Sequence, residues 1–88
     1  MDGRTRVAWN LRQLRTERGL SQESLAVDAD VDRTYVSGIE RGTFNPTLDL
    51  LERLAGALSV DLVDLVNKPA GDQPPEPLRP GRRPKGSG

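Results

Sequence analysis

The stretch Ser21–Gly42, SQESLAVDADVDRTYVSGIERG, decides the fold. It reads as two short helices joined by a tight turn. Leu25, Ala26 and Ala29 form one apolar stripe at helical spacing, Val36 and Ile39 form a second, and Val31 sits in the turn between them. Ala26 is small, so the two helices can cross closely. Arg33, Thr34, Ser37 and Gly38 fall on the side of the second helix away from the stripe. The pattern fits a helix-turn-helix, in which one helix supports and the next can enter the major groove of DNA.

Upstream, residues 5–18 read as a helix, with Val7, Leu11 and Leu14 at helical spacing and Arg12, Arg15 and Arg18 between them. Gly19 ends it as a residue that accepts a left-handed backbone. Ser21 is an N-cap for the next helix, Gln22 to about Asp28, and Asp32 caps the one ending near Arg41, with Gly42 beyond it. Downstream, Thr43–Pro46 is a loop and Thr47 caps a helix whose expected core face is Leu48, Leu51, Leu54, Ala55 and Leu58. Asp61 and Asp64 make a capping-box-like start to a last short helix, Leu62 to about Val66. Nothing alternates like a strand. The expected fold is an all-α bundle of five helices.

The composition narrows function by exclusion. There is no cysteine and no histidine, which removes disulfides, thiolate metal sites, thiol nucleophiles, the usual general base and the commonest zinc ligand. Asp28, Asp30 and Asp32 form D-x-D-x-D, but no glycine or distal glutamate completes a calcium loop, so they read as helix end, turn and cap. Glu23 and its neighbouring carboxylates have no histidine beside them and too little chain to build a pocket, so no enzyme is expected. No cofactor, metal or small-molecule ligand is expected. MDGRTRVAWN has no apolar run of a signal peptide, and no segment is long enough to span a bilayer, so a cytoplasmic protein with no membrane contact is expected.

At 88 residues the chain has room for one small domain, read as residues 1–66, followed by a tail, residues 67–88. The formal net charge is zero, yet residues 1–66 hold eight basic and eleven acidic side chains while residues 67–88 hold five basic and two acidic. Binding to a polyanion must therefore rest on local placement of arginines or on the tail. The tail contains six of the seven prolines and almost no apolar residues, so it is expected to be disordered. Arg79, Arg82, Arg83 and Lys85 make it a cationic arm that can lie in a minor groove or act only as a solubilising segment. Its RPGRRPKG resembles an AT-hook, interrupted by the Arg82-Arg83 doublet.

Three stretches, LRQLRTERGLSQESLA, VDRTYVSGIERG and NPTLDLLERLAGAL, resemble the Cro/CI-type helix-turn-helix family, also called the XRE family. The resemblance covers roughly Val7–Val66 and implies a lambda-repressor-like fold. VDRTYVSGIERG is especially similar to restriction-modification controller proteins and small prophage regulators. The resemblance implies sequence-specific binding of double-stranded DNA and regulation of nearby promoters. It places Arg33, Thr34 and Ser37 at base-reading positions of the third helix. It places Gln22, Tyr35, Arg41, Thr43 and Asn45 on the DNA backbone. Arg33 suits bidentate pairing with guanine, and Thr34 suits a base edge or a thymine methyl. Gln22 opens a helix N-terminus, where backbone N–H groups attract phosphate.

The resemblance also implies a structural ion pair between Arg15 and Glu40. It implies a homodimer whose interface includes Val63 and Val66, because the last helix carries more apolar residues than its own core needs. Two positions depart from the family pattern. Asp30 stands where a glycine usually accepts a left-handed backbone, at a cost of about 1 kcal/mol. Gly38 stands where relatives often place a long polar side chain, which implies lost base readout from that turn. Trp9 lies off the Val7–Leu11–Leu14 face and covers either the edge of its helix or a partner. Two alternatives to a regulator acting alone stay open. One is a controller or antitoxin protein serving a neighbouring restriction or toxin gene. The other is a protein-interaction module that kept the fold and lost DNA binding.

Overall fold

The computed structural model describes residues 1–69, so the expectations for the tail beyond Pro69 lie outside the described residues. Five helices follow in order: α1 (Gly3–Glu17), α2 (Gln22–Ala29), α3 (Arg33–Glu40), α4 (Leu48–Leu58) and α5 (Val63–Val66). No strand occurs among the described residues. This is the all-α, five-helix arrangement that the apolar spacing predicts.

The helix starts follow from side-chain caps that satisfy otherwise orphaned N–H groups. Ser21 Oγ accepts from Ser24 N, Asp32 Oδ1 from Thr34 N, and Thr47 Oγ1 from Leu50 N. Asp61 and Asp64 serve α5 reciprocally: Val63 N donates to Asp61 Oδ1, and Asp61 N donates to Asp64 Oδ2. The first helix starts two residues before the expected position 5, because Asp2 Oδ1 accepts from Thr5 N at 2.9 Å. That bond holds the Asp2 carboxyl below its usual range. Gly19 and Gly42 follow α1 and α3 with φ of +66° and +75°.

Leu11, Leu25, Val36, Ile39, Leu54, Leu58 and Leu65 are fully buried and form the centre of one core. Each such side chain contributes roughly 1.5–3 kcal/mol through burial. Helix α1 packs on α3 and α5, α2 packs on α3 and α4, and α4 closes on α5. Leu48, expected on the core face, is instead 66 % exposed. It is the first residue of α4 and overhangs the edge of the core, which begins one turn later at Leu51.

Helix α5 is only four residues long and is held by side chains of α1. Asn10 Nδ2 donates to Leu65 O at 2.9 Å and Asn67 O at 2.7 Å, and Arg6 Nη1 donates to Val66 O at 3.3 Å. Trp9 is half-buried and shares a recess with Arg12, Glu40 and Arg41, between α1 and the end of α3.

Candidate nucleic-acid interface

The turn from α2 to α3 sets where α3 points. Asp30 takes the left-handed conformation, with φ 59° and ψ 48°. Val31 N then donates to Ala26 O at 2.9 Å, which closes the end of α2, and Val31 packs on the core. Asp32 caps the next helix at once. Only Asp30, Val31 and Asp32 separate the two helices, and the first turn of α3 is left exposed.

Arg33 and Thr34 occupy that exposed turn. Among the described residues, no side chain or backbone oxygen accepts a hydrogen bond from Arg33. Its planar guanidinium thus keeps its donors for a partner outside the domain. Thr34 is more constrained. Its backbone N–H and its hydroxyl both donate to Asp32 Oδ1, at 2.8 and 2.7 Å. Its hydroxyl oxygen can therefore only accept, while its methyl stays free for apolar contact. These bonds from Thr34, the backbone one foremost, hold the Asp32 carboxyl below its usual range. Ser37 is half-buried, and its Oγ accepts from Arg41 Nη1 one turn later, so these two expected contact residues are bonded to each other.

Tyr35 is 44 % exposed, and its ring packs on Phe44 with centroids 5.1 Å apart. Phe44 escaped the sequence reading because it lies in an irregular loop with no apolar period. It also corrects the reading of Gly38. That residue is buried rather than turned outward: a Cβ placed on it would stand 3.0 Å from Phe44 Cβ. The glycine lets the loop after α3 fold back against the helix. Thr43 fixes the same approach, with its N and Oγ1 donating to Gly38 O at 3.0 and 3.3 Å. Asn45 is exposed and borders a groove shared with Arg4 and Pro46.

Behind this surface lies a polar node joining α1, α2 and α3. Arg15 Nε and Nη2 grip Glu40 Oε2 and Oε1 at 2.6 and 2.9 Å, and Arg15 Nη1 donates to Leu20 O at 2.7 Å. Gln22 Nε2 donates to Glu40 Oε1 at 3.0 Å, and Arg12 Nε stands 3.8 Å from the same oxygen. The Glu40 side chain is 1 % exposed, so this bidentate pairing and the added donors offset the cost of burying its charge. Gln22 thus spends part of its amide inside the protein. Its backbone N–H still opens α2 at the positive end of the helix. Val63 is 47 % exposed, whereas Val66 is half-buried and packs on the core. Among the described residues no group of His, Cys, Asp and Glu side chains could hold a metal ion. No described helix is long and apolar enough to cross a membrane.

A helix-turn-helix family model matches residues 11–65, which include α2, the turn and α3. The chain belongs to the Cro/CI-type helix-turn-helix family of DNA-binding transcriptional regulators. A hypothetical transcription factor of Neisseria meningitidis serogroup B is 43% identical over 68 residues, which are 77% of this chain and 64% of that protein. The solved structure of the Neisseria factor superposes with a TM-score of 0.75, covering 77% of this chain and 78% of that one. The control protein C.BamHI of Bacillus amyloliquefaciens is 47% identical over 58 residues, 65% of this chain and 72% of its own. The restriction-modification controller protein C.Esp1396I matches with a TM-score of 0.68 and 37% identity, covering 74% of this chain and 84% of that one. Solved variants of C.Esp1396I replace an arginine, a threonine and a tyrosine that are consecutive in it, the order of Arg33-Thr34-Tyr35 here.

Proposed function

We propose that this regulator binds a pseudo-palindromic operator as a homodimer, with the first turn of α3 in the major groove. The observation that carries the reading is the pairing of a free Arg33 with a rigidly capped Thr34 on that exposed turn. Arg33 reads a guanine, and Thr34 meets a base edge or a thymine methyl. Ser37 lies next along the groove. Gln22, Tyr35, Arg41, Thr43 and Asn45 position the backbone. The Arg15–Glu40 pair holds α1 to α3 and takes no part in sequence choice. Val63, exposed beside Val66 on α5, marks the two-fold interface, and half-sites then lie about 34 Å apart. The protein acts in the cytoplasm, catalyses no reaction and needs no cofactor.

A second reading shares this site: a controller serving a neighbouring restriction gene. The similarity to C.BamHI and C.Esp1396I favours it over an antitoxin. A restriction endonuclease gene beside this one, under a promoter the protein binds, would support it.

Fluorescence anisotropy on DNA from upstream of the gene, against a scrambled duplex at two salt concentrations, tests the reading. A preference for the upstream DNA that Arg33→Ala erases supports it. Equal, salt-sensitive binding to both duplexes means that the operator lies elsewhere or that the tail dominates binding. No binding at low salt turns the reading toward a protein partner. Sedimentation showing a monomer at tens of micromolar removes the dimer.

A further inference from the structure

Beside the start of α3 lies a groove of about 460 Å³, of which the proposed function uses only the Tyr35 edge. Its apolar floor is built from Tyr35, Phe44 and Leu50. Its rim carries Asp30, Asp32 and Asp49 against a single cation, Arg53, whose Nη1 donates to Asp30 O at 3.2 Å. All three carboxylates are exposed. Two of the three aromatic residues of the chain meet here. An aromatic floor under an anionic rim suits a partner that is cationic and partly apolar, above all arginine, which stacks on rings and pairs with carboxylates.

The chain carries such a partner. Leu78–Lys85, LRPGRRPK, holds four basic side chains and no acidic one. We infer that this segment docks in the groove, with its arginines between the aspartate rim and the Tyr35–Phe44 rings.

Reach and charge both favour it. From Pro69, the thirteen residues to Arg82 span at most roughly 45 Å, beyond the 36 Å longest extent of the domain. Two other acidic grooves offer Glu17 and Asp64, nearer to Pro69, and Glu23 and Asp28 on α2. Neither is lined by an aromatic ring, and each brings together two carboxylates where this groove brings three. Docking covers the ring of Tyr35. It follows that the tail and DNA exclude each other at this end of α3, a consequence that rests on the proposed placement of Tyr35 along the DNA. A chain of zero net charge, with an acidic domain and a basic tail, then screens its own reading surface until a stronger polyanion displaces the tail.

The absence of cysteine makes the test direct. A single Gly88→Cys substitution in the full chain takes a nitroxide label, and amide cross-peaks are compared with those after reduction of the label. At roughly millimolar effective concentration of the tethered tail, a millimolar contact is occupied about half the time and cuts nearby intensities roughly twofold or more. The expected loss centres on residues 30–35 and 44–50. It disappears in an Asp30→Asn, Asp49→Asn variant and in 1 M salt, where charges are screened within about 3 Å. Loss centred on α1 and α5 or on α2, loss spread evenly, or loss indifferent to those substitutions overturns the inference. Adding the upstream duplex separates the two claims. Recovery of the groove signals supports mutual exclusion. Persistent docking on a DNA-bound protein keeps the groove assignment and refutes the placement of Tyr35.

Discussion

Gly38 and Phe44 are in direct contact: a methyl group on the glycine would stand 3.0 Å from Phe44 Cβ. The loop after α3 therefore depends on a residue with no side chain inside the helix. Replacing it by alanine sets two effects against each other. Helix propensity gains roughly 0.5–1 kcal/mol. Overpacking costs about 1–3 kcal/mol. Phe44 Cβ moves only with its backbone, which the Thr43 bonds to Gly38 O hold in place, so the cost stays near the middle of that range. Gly38→Ala is expected to lose about 1 kcal/mol net, lowering Tm by roughly 4–8 °C in a domain of this size. A rise in Tm would show that the loop moves freely and that the close approach does not matter.

The Arg15–Glu40 pair invites a double-mutant cycle in urea. Glu40→Ala leaves Arg15 bonded to Leu20 O but without its carboxylate, and is expected to cost about 3 kcal/mol. Arg15→Ala leaves a carboxylate that is almost fully buried, with Gln22 and the more distant Arg12 as donors. Removing both eliminates the orphaned charge. The double variant should therefore be more stable than the sum of the singles implies, by about 1–3 kcal/mol. Strict additivity would mean that Arg12 and Gln22 replace Arg15 completely.

The helices were legible in the sequence wherever a side chain announces a boundary. Ser21, Asp32 and Thr47 cap where the spacing places them, and Asp30 adopts the backbone expected of its position. Gly38 and Leu48 show the limit. Periodicity assigns a face but not what lies opposite it, so spacing alone turns the buried Gly38 outward and the exposed Leu48 inward. Asp2 gives no such signal, because α1 begins in a charged stretch with no apolar repeat. The partners of Glu40 come from two other helices, α1 and α2, and no local pattern encodes that convergence.

DNA binding should separate Arg33 from Arg41. The guanidinium of Arg33 is free, so Arg33→Ala is expected to cost about 1–3 kcal/mol on the preferred duplex and to relax choice at one base pair. Arg41 is bonded to Ser37 at the far end of the helix. Arg41→Ala is expected to weaken all duplexes alike and to reduce the salt slope by about one. Binding isotherms on the preferred and a scrambled duplex at several salt concentrations distinguish these patterns. Uniform loss from both variants would remove the base-reading role of Arg33.

Acid stability carries a signature of Asp32. Its carboxyl titrates below the ordinary value of 3.8, because Thr34 donates two hydrogen bonds to its charged form. A depressed folded-state pKa means that its contribution is complete above the unfolded value and is lost as pH falls through the folded one. The urea midpoint should thus decline below about pH 4. Asparagine caps about as well as aspartate but does not titrate. Asp32→Asn should therefore stay close to wild type near neutral pH and flatten that decline, ending above wild type at the acid end. An unchanged acid limb would assign it to other carboxylates, Asp2 first among them.

Among the described residues, two other than glycine hold left-handed backbone, Asp30 with φ 59° and Ser59 with φ 59°. They close α2 and α4 in the same way, yet they should not respond equally to glycine. Aspartate tolerates this conformation better than serine, because its carboxylate can bond locally. Each substitution relieves strain of about 1–2 kcal/mol at most. Each also gives back roughly 0.4–1 kcal/mol, because glycine loosens the unfolded chain. Neither change disturbs a folded-state contact of the backbone: Arg53 bonds the carbonyl of Asp30, which glycine keeps. Ser59→Gly is therefore expected to stabilise the domain by about 0.5–1 kcal/mol and Asp30→Gly by less, read as a rise in Tm. A larger gain from Asp30→Gly would mean that its carboxylate, packed beside Asp32 and Asp49, is destabilised by like charge rather than by its backbone. High salt would then erase the difference.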